Sequence, residues 1–145
     1  MFELDYRLQN DCVEVGSLMV GRILLMKDAN YPWLILVPQR EGISEIYQLD
    51  VDDQEQLIWE SSFVAERLMA TYNGDKMNIA ALGNVVPQLH IHHVMRKQDD
   101  AAWPNPVWGA VPPKAYSRHA LRHRVEQLQA AFETSTFKPA ALPPA

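Results

Sequence analysis

The sequence has little cysteine and no hydrophobic run long enough to cross a membrane. Cys12 is the only cysteine among 145 residues, which excludes an internal disulfide framework and favours a reducing compartment. The apolar run at residues 33–38 is far shorter than the roughly 20 residues that a membrane helix needs. The chain begins MFELD, with acid where a secretory signal would carry Lys or Arg. We therefore expect a cytoplasmic protein without a membrane partner.

Positive charge is also scarce. The chain has 13 Lys and Arg residues against 18 Asp and Glu residues, a net charge of −5. A nucleic-acid polymer is not an expected partner, because binding one requires a basic surface that neutralises phosphates. One core can bury about two-thirds of the surface of a chain this long, so we expect a single domain over residues 1–134. The Pro- and Ala-rich remainder, residues 135–145, is expected to be a mobile tail.

Hydrophobic patterning predicts four strands and two long helices. The strands are expected at 21–28, 33–38, 76–82 and 87–96, and the helices at 52–73 and 114–133. Asp52 and Glu55 resemble a capping box at the start of the first helix, and Asn73-Gly74 is a typical stop. The order β-β-α-β-β-α contains no repeated βαβ unit. It predicts an α+β fold with a mainly antiparallel sheet.

Histidine is concentrated in the last predicted strand. Three of the five histidines are His90, His92 and His93. Because strand side chains alternate, Gln88, His90 and His92 share one face. Leu89 and Ile91 point to the other face, which His93 joins unless a bulge redirects it.

Three interpretations of this histidine row are open from the residues alone. One imidazole could attack a phosphate while its neighbour donates a hydrogen bond to the anionic oxygens. Alternate histidines could instead hold a metal, with a further ligand from His119 or His123, which lie one helical turn apart. They could also be hydrogen-bonded surface side chains without a chemical task.

The segment from Asn84 to Arg96, NVVPQLHIHHVMR, resembles the motif of the histidine triad (HIT) family of nucleotide hydrolases and transferases. That motif is His-φ-His-φ-His-φ-φ, with φ apolar. The resemblance covers roughly residues 20–96: a strand pair ending in LVP, a helix led by LDVDDQEQL, a strand containing Asn78, and the histidine strand. It implies a HIT-like α+β fold with two main helices.

The motif departs from the family pattern at two positions. Gln88 stands where the first histidine of the triad is expected, which suggests a bacterial-type variant, and His93 stands where an apolar residue is usual. Glutamine can donate and accept hydrogen bonds but cannot titrate. The first departure therefore bears on rate and substrate, and it leaves the nucleophile in place.

The resemblance also implies a mechanism and a set of site residues. His90 would attack an α-phosphorus to give a covalent nucleotidyl-histidine, which water or another acceptor resolves. His92, Gln88 and Asn84 would contact phosphate. Asp28 would accept hydrogen bonds from ribose, and Asn78 would line the nucleotide site from the neighbouring strand. The family chemistry requires no cofactor and no metal, and members usually form homodimers.

The implied substrate is a nucleotide conjugate, either a dinucleoside polyphosphate or a nucleoside phosphoramidate. Two alternatives stand beside this enzyme: a catalytically weak nucleotide-binding module, and a metal-binding protein that uses His90, His92 and a helix histidine. Several residues also have simpler interpretations. Asp28 could be a turn residue, and Asn78 a solvated strand residue. Arg96 could be a phosphate ligand or a surface charge, and Trp103 and Trp108 could stack on a base or pack.

Overall fold

The computed structural model describes all residues from Met1 to Ala145. The strands are β1 (Cys12–Ser17), β2 (Gly21–Met26), β3 (Trp33–Pro38), β4 (Lys76–Ala81), β5 (Ile91–Arg96) and β6 (Lys138–Pro139). The helices are α1 (Tyr6–Asp11), α2 (Val51–Tyr72) and α3 (Arg118–Ala131), with a short 3-10 helix at Ile46–Gln48. No helix combines the length and the apolar character that crossing a membrane requires.

The six strands form one antiparallel sheet in the order β4-β5-β3-β2-β1-β6. The predicted α+β fold with a mainly antiparallel sheet is therefore confirmed. Central β3 is buried along its whole length, which agrees with its continuous apolar sequence WLILVP. β4 and β6 are the two edges of the sheet.

One face of the sheet is covered by the two long helices. α2 contributes Leu57, Val64 and Leu68 to the larger hydrophobic cluster, and α3 contributes Val125 and Leu128. The N-cap of α2 is Asp50, two residues before the predicted cap Asp52: the Asp50 side chain accepts from the backbone N–H of Asp53. Its last residue is Tyr72, and the predicted stop Asn73 caps it with a left-handed φ of 52°.

The other face of the sheet is covered less completely. α1 and the loop 97–117 pack over a second hydrophobic cluster that includes Leu8, Trp33 and Val107. His90 and His92 belong to this face, because His93 on the opposite face bonds to α2. A cleft between α1 and the loop exposes part of the sheet, and this cleft positions the site described below.

The C-terminal segment differs from the expected mobile tail. Phe137 is buried in the larger cluster, and β6 pairs with β1 at Gly16 and Ser17. A Cβ at Gly16 would lie 2.5 Å from the ring of Phe137, so a glycine is needed where the two strands meet. The boundary at residue 134 therefore cuts off residues that complete the core. Although proline is frequent here, a two-residue edge strand needs few backbone donors.

Candidate functional site

The histidine strand presents its side chains to both faces of the sheet. The predicted strand included Gln88 and His90, but β5 begins at Ile91, so both residues lie in the segment before the strand. The rings of His90 and His92 are nevertheless neighbours, with centroids 4.9 Å apart. His93 lies on the helix face, where the alternation predicts it.

The ring of His90 is fixed by a backbone carbonyl. Its Nδ1 lies 2.7 Å from the carbonyl oxygen of Gln88. A carbonyl oxygen only accepts hydrogen bonds, so Nδ1 carries the proton and donates it. Nε2 therefore keeps a free lone pair, in a side chain that is only 4% exposed. A neutral imidazole of this tautomer is a nucleophile.

His92 has the opposite tautomer. The indole Nε1–H of Trp33 donates to Nδ1 of His92 at 3.0 Å, and because an indole cannot accept, Nδ1 must be unprotonated. The proton is on Nε2, which makes that nitrogen a donor. Burial, followed by the charges of His90 and His93, lowers the pKa of His92 to about 3. His92 therefore stays a neutral hydrogen-bond donor near neutral pH.

His93 has a structural role on the other face. Its Nδ1 donates to the carbonyl of Ile91 at 3.0 Å, and its Nε2 accepts from the Ser61 hydroxyl at 2.7 Å. Burial lowers the pKa of His93 to about 4, although the Ile91 carbonyl opposes the shift. The pair joins α2 to β5, the strand that carries His92.

His90 and His92 open into a cleft of about 460 Å³. Its other walls include Arg7 and Leu8 from α1, Trp33 from β3, and Asn84 and Trp108 from loops. A neighbouring hollow of about 390 Å³ shares Asp11, Met26 and Trp33 with it. The two together form an elongated groove along α1, largely apolar and with a few polar groups, which is the usual character of a small-molecule site.

Besides His90 and His92, two more of the expected site residues lie in this groove. Asn84 lines the cleft together with His90, and Asp28 lines the neighbouring hollow. Oδ1 of Asp28 accepts from the backbone N–H and side-chain amide of Asn30 and from the backbone N–H of Lys114. Its Oδ2 accepts no hydrogen bond from the protein. Asp28 is thus both a turn residue and a buried carboxylate with one oxygen to spare.

Gln88 is placed differently from the phosphate contact expected of it. Its Nε2 donates to the carbonyl of Glu3 at 2.8 Å, and its Oε1 accepts from the N–H of Asp5 at 2.9 Å. The amide pairs with the N-terminal backbone as a neighbouring strand would. Both ends of the side chain are engaged, so Gln88 holds the N-terminal segment and not a phosphate.

Asn78 is also placed differently. Its Oδ1 accepts from Nη1 of Arg96 at 2.9 Å, and it lines neither hollow of the groove. Arg96 is buried and forms a double hydrogen bond with Asp100 at 2.7 and 3.0 Å. Asn78 and Arg96 therefore belong to a structural network, and Arg96 is neither a surface charge nor in position to bind phosphate. Trp103 stacks on this network, with the Arg96 guanidinium 5.5 Å from its ring.

The metal interpretation that combines strand and helix histidines is wrong. His119 and His123 are exposed and stack on each other, with centroids 6.3 Å apart. They lie on α3, which packs on the sheet face opposite to His90 and His92. No three potential metal-ligating side chains of His, Cys, Asp or Glu come together anywhere in the chain.

Two residues of the site have no signal in the sequence pattern. The sequence around Trp33 is typical of the start of a buried strand. Only the register between β3 and β5 brings its indole to His92. Arg7 lies 83 residues before His90, in a segment whose pattern is ambiguous. Trp108 packs edge-on against His92 with centroids 5.3 Å apart, so this one of the two candidate tryptophans is part of the site.

Comparison with known proteins gives consistent results. A family model of the HIT domain matches residues 7–99. A histidine triad protein from Bradyrhizobium japonicum is similar at 44% identity and a TM-score of 0.89, over 91% of this chain and 98% of that one. One from Marinobacter aquaeolei is similar at 47% identity and a TM-score of 0.88, over 90% of this chain and 96% of that one. No curated protein matches the chain.

Proposed function

The chain belongs to the HIT domain family, and on that premise we propose that it is a nucleotide hydrolase or nucleotidyl transferase with His90 as nucleophile. The observation that carries this proposal is the pair of opposite tautomers in one cleft. His90 directs a lone pair into the cleft, and His92 supplies a neutral N–H donor beside it. Attack on a phosphate requires both functions.

In the first step Nε2 of His90 attacks the α-phosphorus in line. The N–P bond forms, the bond from phosphorus to the leaving group breaks, and its electron pair departs with the leaving group. The imidazole becomes cationic in this step, and the Gln88 carbonyl that accepts its Nδ1–H stabilises the charge. The Nε2–H of His92 donates to a phosphate oxygen.

In the second step water attacks the same phosphorus. The N–P bond breaks and its electron pair returns to Nε2 of His90. The attacking water gives up one proton to solvent, and the nucleotide is released as a monophosphate. If another acceptor replaces water, the reaction is a nucleotidyl transfer. No net proton change is required of His92.

The groove also offers positions for a nucleoside. The free Oδ2 of Asp28 is suited to accept hydrogen bonds from ribose hydroxyls. Met26 and Trp33 form an apolar wall between Asp28 and the histidines, against which a base can pack. Asn84 borders His90 and is in reach of a phosphate. In this arrangement the nucleotide lies along α1, with its phosphate end at His90.

The proposal is tested by measuring intact protein mass during turnover. Wild type mixed briefly with diadenosine tetraphosphate or adenosine phosphoramidate should show an added adenylate and should release AMP. His90→Ala should show neither, because Nε2 is missing. His123→Ala, an exposed histidine on α3, is the matched control and should behave as wild type.

Two other results would support different functions. AMP binding by wild type without any turnover would favour a catalytically weak nucleotide-binding module. Turnover that survives in His90→Ala would show that another group is the nucleophile and would overturn the mechanism above.

We also infer a homodimer that pairs through the β4 edge. β4 is bonded to β5 on one side only, so its other side presents unpaired backbone groups. Ile79 on this strand is 51% exposed, and Trp59 on the adjoining helix α2 is 56% exposed. An edge strand flanked by exposed apolar side chains is a suitable surface for a second copy of the chain.

A further inference from the structure

Arg7 carries the only positive charge in the cleft that holds His90. The other residues that line this cleft have apolar, amide, acidic or imidazole side chains. A separate hollow of about 290 Å³ on the other side of His90 is lined by Ser44 and Glu45 among others, and it contains no Lys or Arg. Lys27 lines only the neighbouring hollow at the Asp28 end of the groove. An anionic part of a substrate that extends beyond the attacked phosphate within the cleft therefore has one cation available, the guanidinium of Arg7.

The guanidinium is held in place but is not fully used. Nε and Nη2 donate to the two carboxylate oxygens of Asp5 at 3.0 and 2.9 Å, and Nη1 donates to the carbonyl of Val85 at 2.8 Å. An arginine has five N–H groups. Three are engaged here, so two can still donate to a ligand. Asp5 fixes the plane of the guanidinium, and Arg7 engages both carboxylate oxygens of Asp5.

Gln88 links this cation to the nucleophile. Its side chain holds Glu3 and Asp5, and its own carbonyl holds Nδ1 of His90. A primary amide can donate and accept side by side, as a backbone ladder requires, whereas the donor and acceptor nitrogens of an imidazole point apart. Glutamine in place of the first triad histidine therefore suits the docking of the segment that carries Arg7.

The position of Arg7 along the groove indicates what it contacts. Asp28 lies in the hollow at one end, and His90 and His92 lie deep in the middle. Arg7 is bound to Val85 beside Asn84 at the other end, and its side chain is 34% exposed. A nucleotide whose ribose is near Asp28 directs the group beyond its α-phosphate toward Arg7.

We propose that Arg7 forms an anion subsite for the departing phosphate chain, and that the substrate is a dinucleoside polyphosphate or similar anhydride. This inference rests on the proposed function and narrows its substrate class. When Nε2 of His90 forms its bond to the α-phosphorus, the bond to the bridging oxygen breaks and that oxygen takes the electron pair. The two free N–H groups of Arg7 pair with this developing charge. An amine leaving group takes up a proton from solvent as the P–N bond breaks and departs uncharged, so it presents no such anionic charge to Arg7.

The test compares two substrates on wild type, Arg7→Gln and Arg7→Lys. For diadenosine tetraphosphate, Arg7→Gln should lower kcat/KM by about 10- to 100-fold, the size expected for lost charge-assisted hydrogen bonds. For adenosine phosphoramidate the loss should stay below about 3-fold. Arg7→Lys keeps the positive charge but lacks the planar guanidinium. Its kcat/KM should therefore lie between those of wild type and Arg7→Gln. An equal loss on both substrates would mean that Arg7 only holds α1, and would overturn the inference.

A binding measurement keeps the inference separate from the proposed function. Inorganic tripolyphosphate should bind wild type, quenching Trp33 or Trp108 fluorescence, and its Kd should rise about 10-fold or more in Arg7→Gln. Unchanged binding in a variant with unchanged circular dichroism would refute the anion subsite whether or not the protein turns over. Failure of the proposed function would appear instead as absence of adenylate on His90 with both substrates.

Gln88 is expected to act as a positioning residue for Arg7. Gln88→Leu releases the Glu3 and Asp5 contacts but keeps the backbone carbonyl that holds His90. It should therefore reproduce the substrate-selective loss of Arg7→Gln. A loss on both substrates would show that the side chain supports His90 itself and would remove Gln88 from the subsite.

Discussion

At the scale of single residues, hydrogen-bond partners decide what each histidine can do. His90, His92 and His93 are close neighbours in sequence, yet a carbonyl, an indole and a serine hydroxyl give them different states. Burial keeps His92 and His93 neutral by lowering their pKa values to about 3 and about 4. One residue type therefore supplies an imidazole with a free lone pair, a hydrogen-bond donor and a structural link.

The Trp33 indole is predicted to set the tautomer of His92. In Trp33→Phe the donor to Nδ1 is lost, so His92 can place its proton on either nitrogen. We expect kcat to fall about 10-fold, the equivalent of one hydrogen bond of about 1.4 kcal/mol. Nitrogen-15 NMR of the imidazole should show mixed tautomers.

Trp108→Phe is the matched control. Trp108 also packs on His92, but its Nε1 has no hydrogen-bond partner. Trp108→Phe should retain the wild-type tautomer of His92 and most of the wild-type activity. Equal losses in both variants would assign the effect to packing.

His93 is predicted to make stability depend on acid. Its pKa is lowered from 6.5 to about 4 in the folded protein, so between these values the unfolded chain binds the extra proton. Stability is then complete above about pH 6.5 and is lost as the pH falls toward 4, by about 1.4 kcal/mol per pH unit for one such group. His92 adds to the same slope.

The double variant Ser61→Ala, His93→Val should make this slope shallower, because it removes the titrating ring without leaving the hydroxyl unpaired. Urea unfolding at several pH values measures it. His123→Gln, which removes an exposed histidine, should leave the slope unchanged. An unaltered slope in the double variant would contradict the assignment.

At the scale of elements, the short strand β6 and the residue before it complete the sheet. Phe137 packs against Phe132, with ring centroids 6.0 Å apart, and belongs to the main core. Gln129 on α3 donates to the carbonyls of Val15 and Ala140, which joins the last helix, β1 and the C-terminal segment. The C-terminal segment thus contributes to the packing of both β1 and α3.

Phe137→Ala is predicted to lower the free energy of unfolding by about 3 kcal/mol, because it removes a buried ring and leaves a cavity. Chemical denaturation measures the change. Lys138→Ala is the control: Lys138 is exposed and its strand pairing uses only the backbone, so its effect should stay within about 0.5 kcal/mol. A small effect of Phe137→Ala would support the mobile tail after all.

At the scale of the whole molecule, the sheet separates the main hydrophobic core on one face from the candidate site on the other. α2 and α3 cover one face and carry most of the core, while α1 and the loop 97–117 leave the groove open on the other. The edge β4 and the exposed side of α2 lie apart from the Asp28 end of the groove. Pairing through β4 would therefore leave that end accessible.

Ile79→Glu is predicted to convert the proposed dimer to a monomer, because it buries a charge at the edge where two copies would meet. Light scattering coupled to size exclusion at micromolar concentration measures the mass. Met19→Glu introduces the same charge at another exposed apolar residue and should remain dimeric. A monomeric wild type would exclude this assembly.

The sequence by itself determined the features that depend on local periodicity. Continuous apolar runs predicted β2 and β3, and a helical repeat with polar ends predicted α2. The spacing of His90 and His92 predicted that they share a face, and the surrounding motif predicted the family. Each of these follows from neighbours within a few residues, where backbone geometry links sequence directly to side-chain direction.

Only the tertiary structure decided which partners these residues meet. Gln88 holds residues more than 80 positions away, Asn78 turns to Arg96, and Phe137 returns to the first strand. Such contacts depend on strand order and register, which hydrophobic periodicity does not encode. The tautomers of His90 and His92 were settled in the same way, because a proton's position on an imidazole is set by whichever donor or acceptor the fold brings to its other nitrogen.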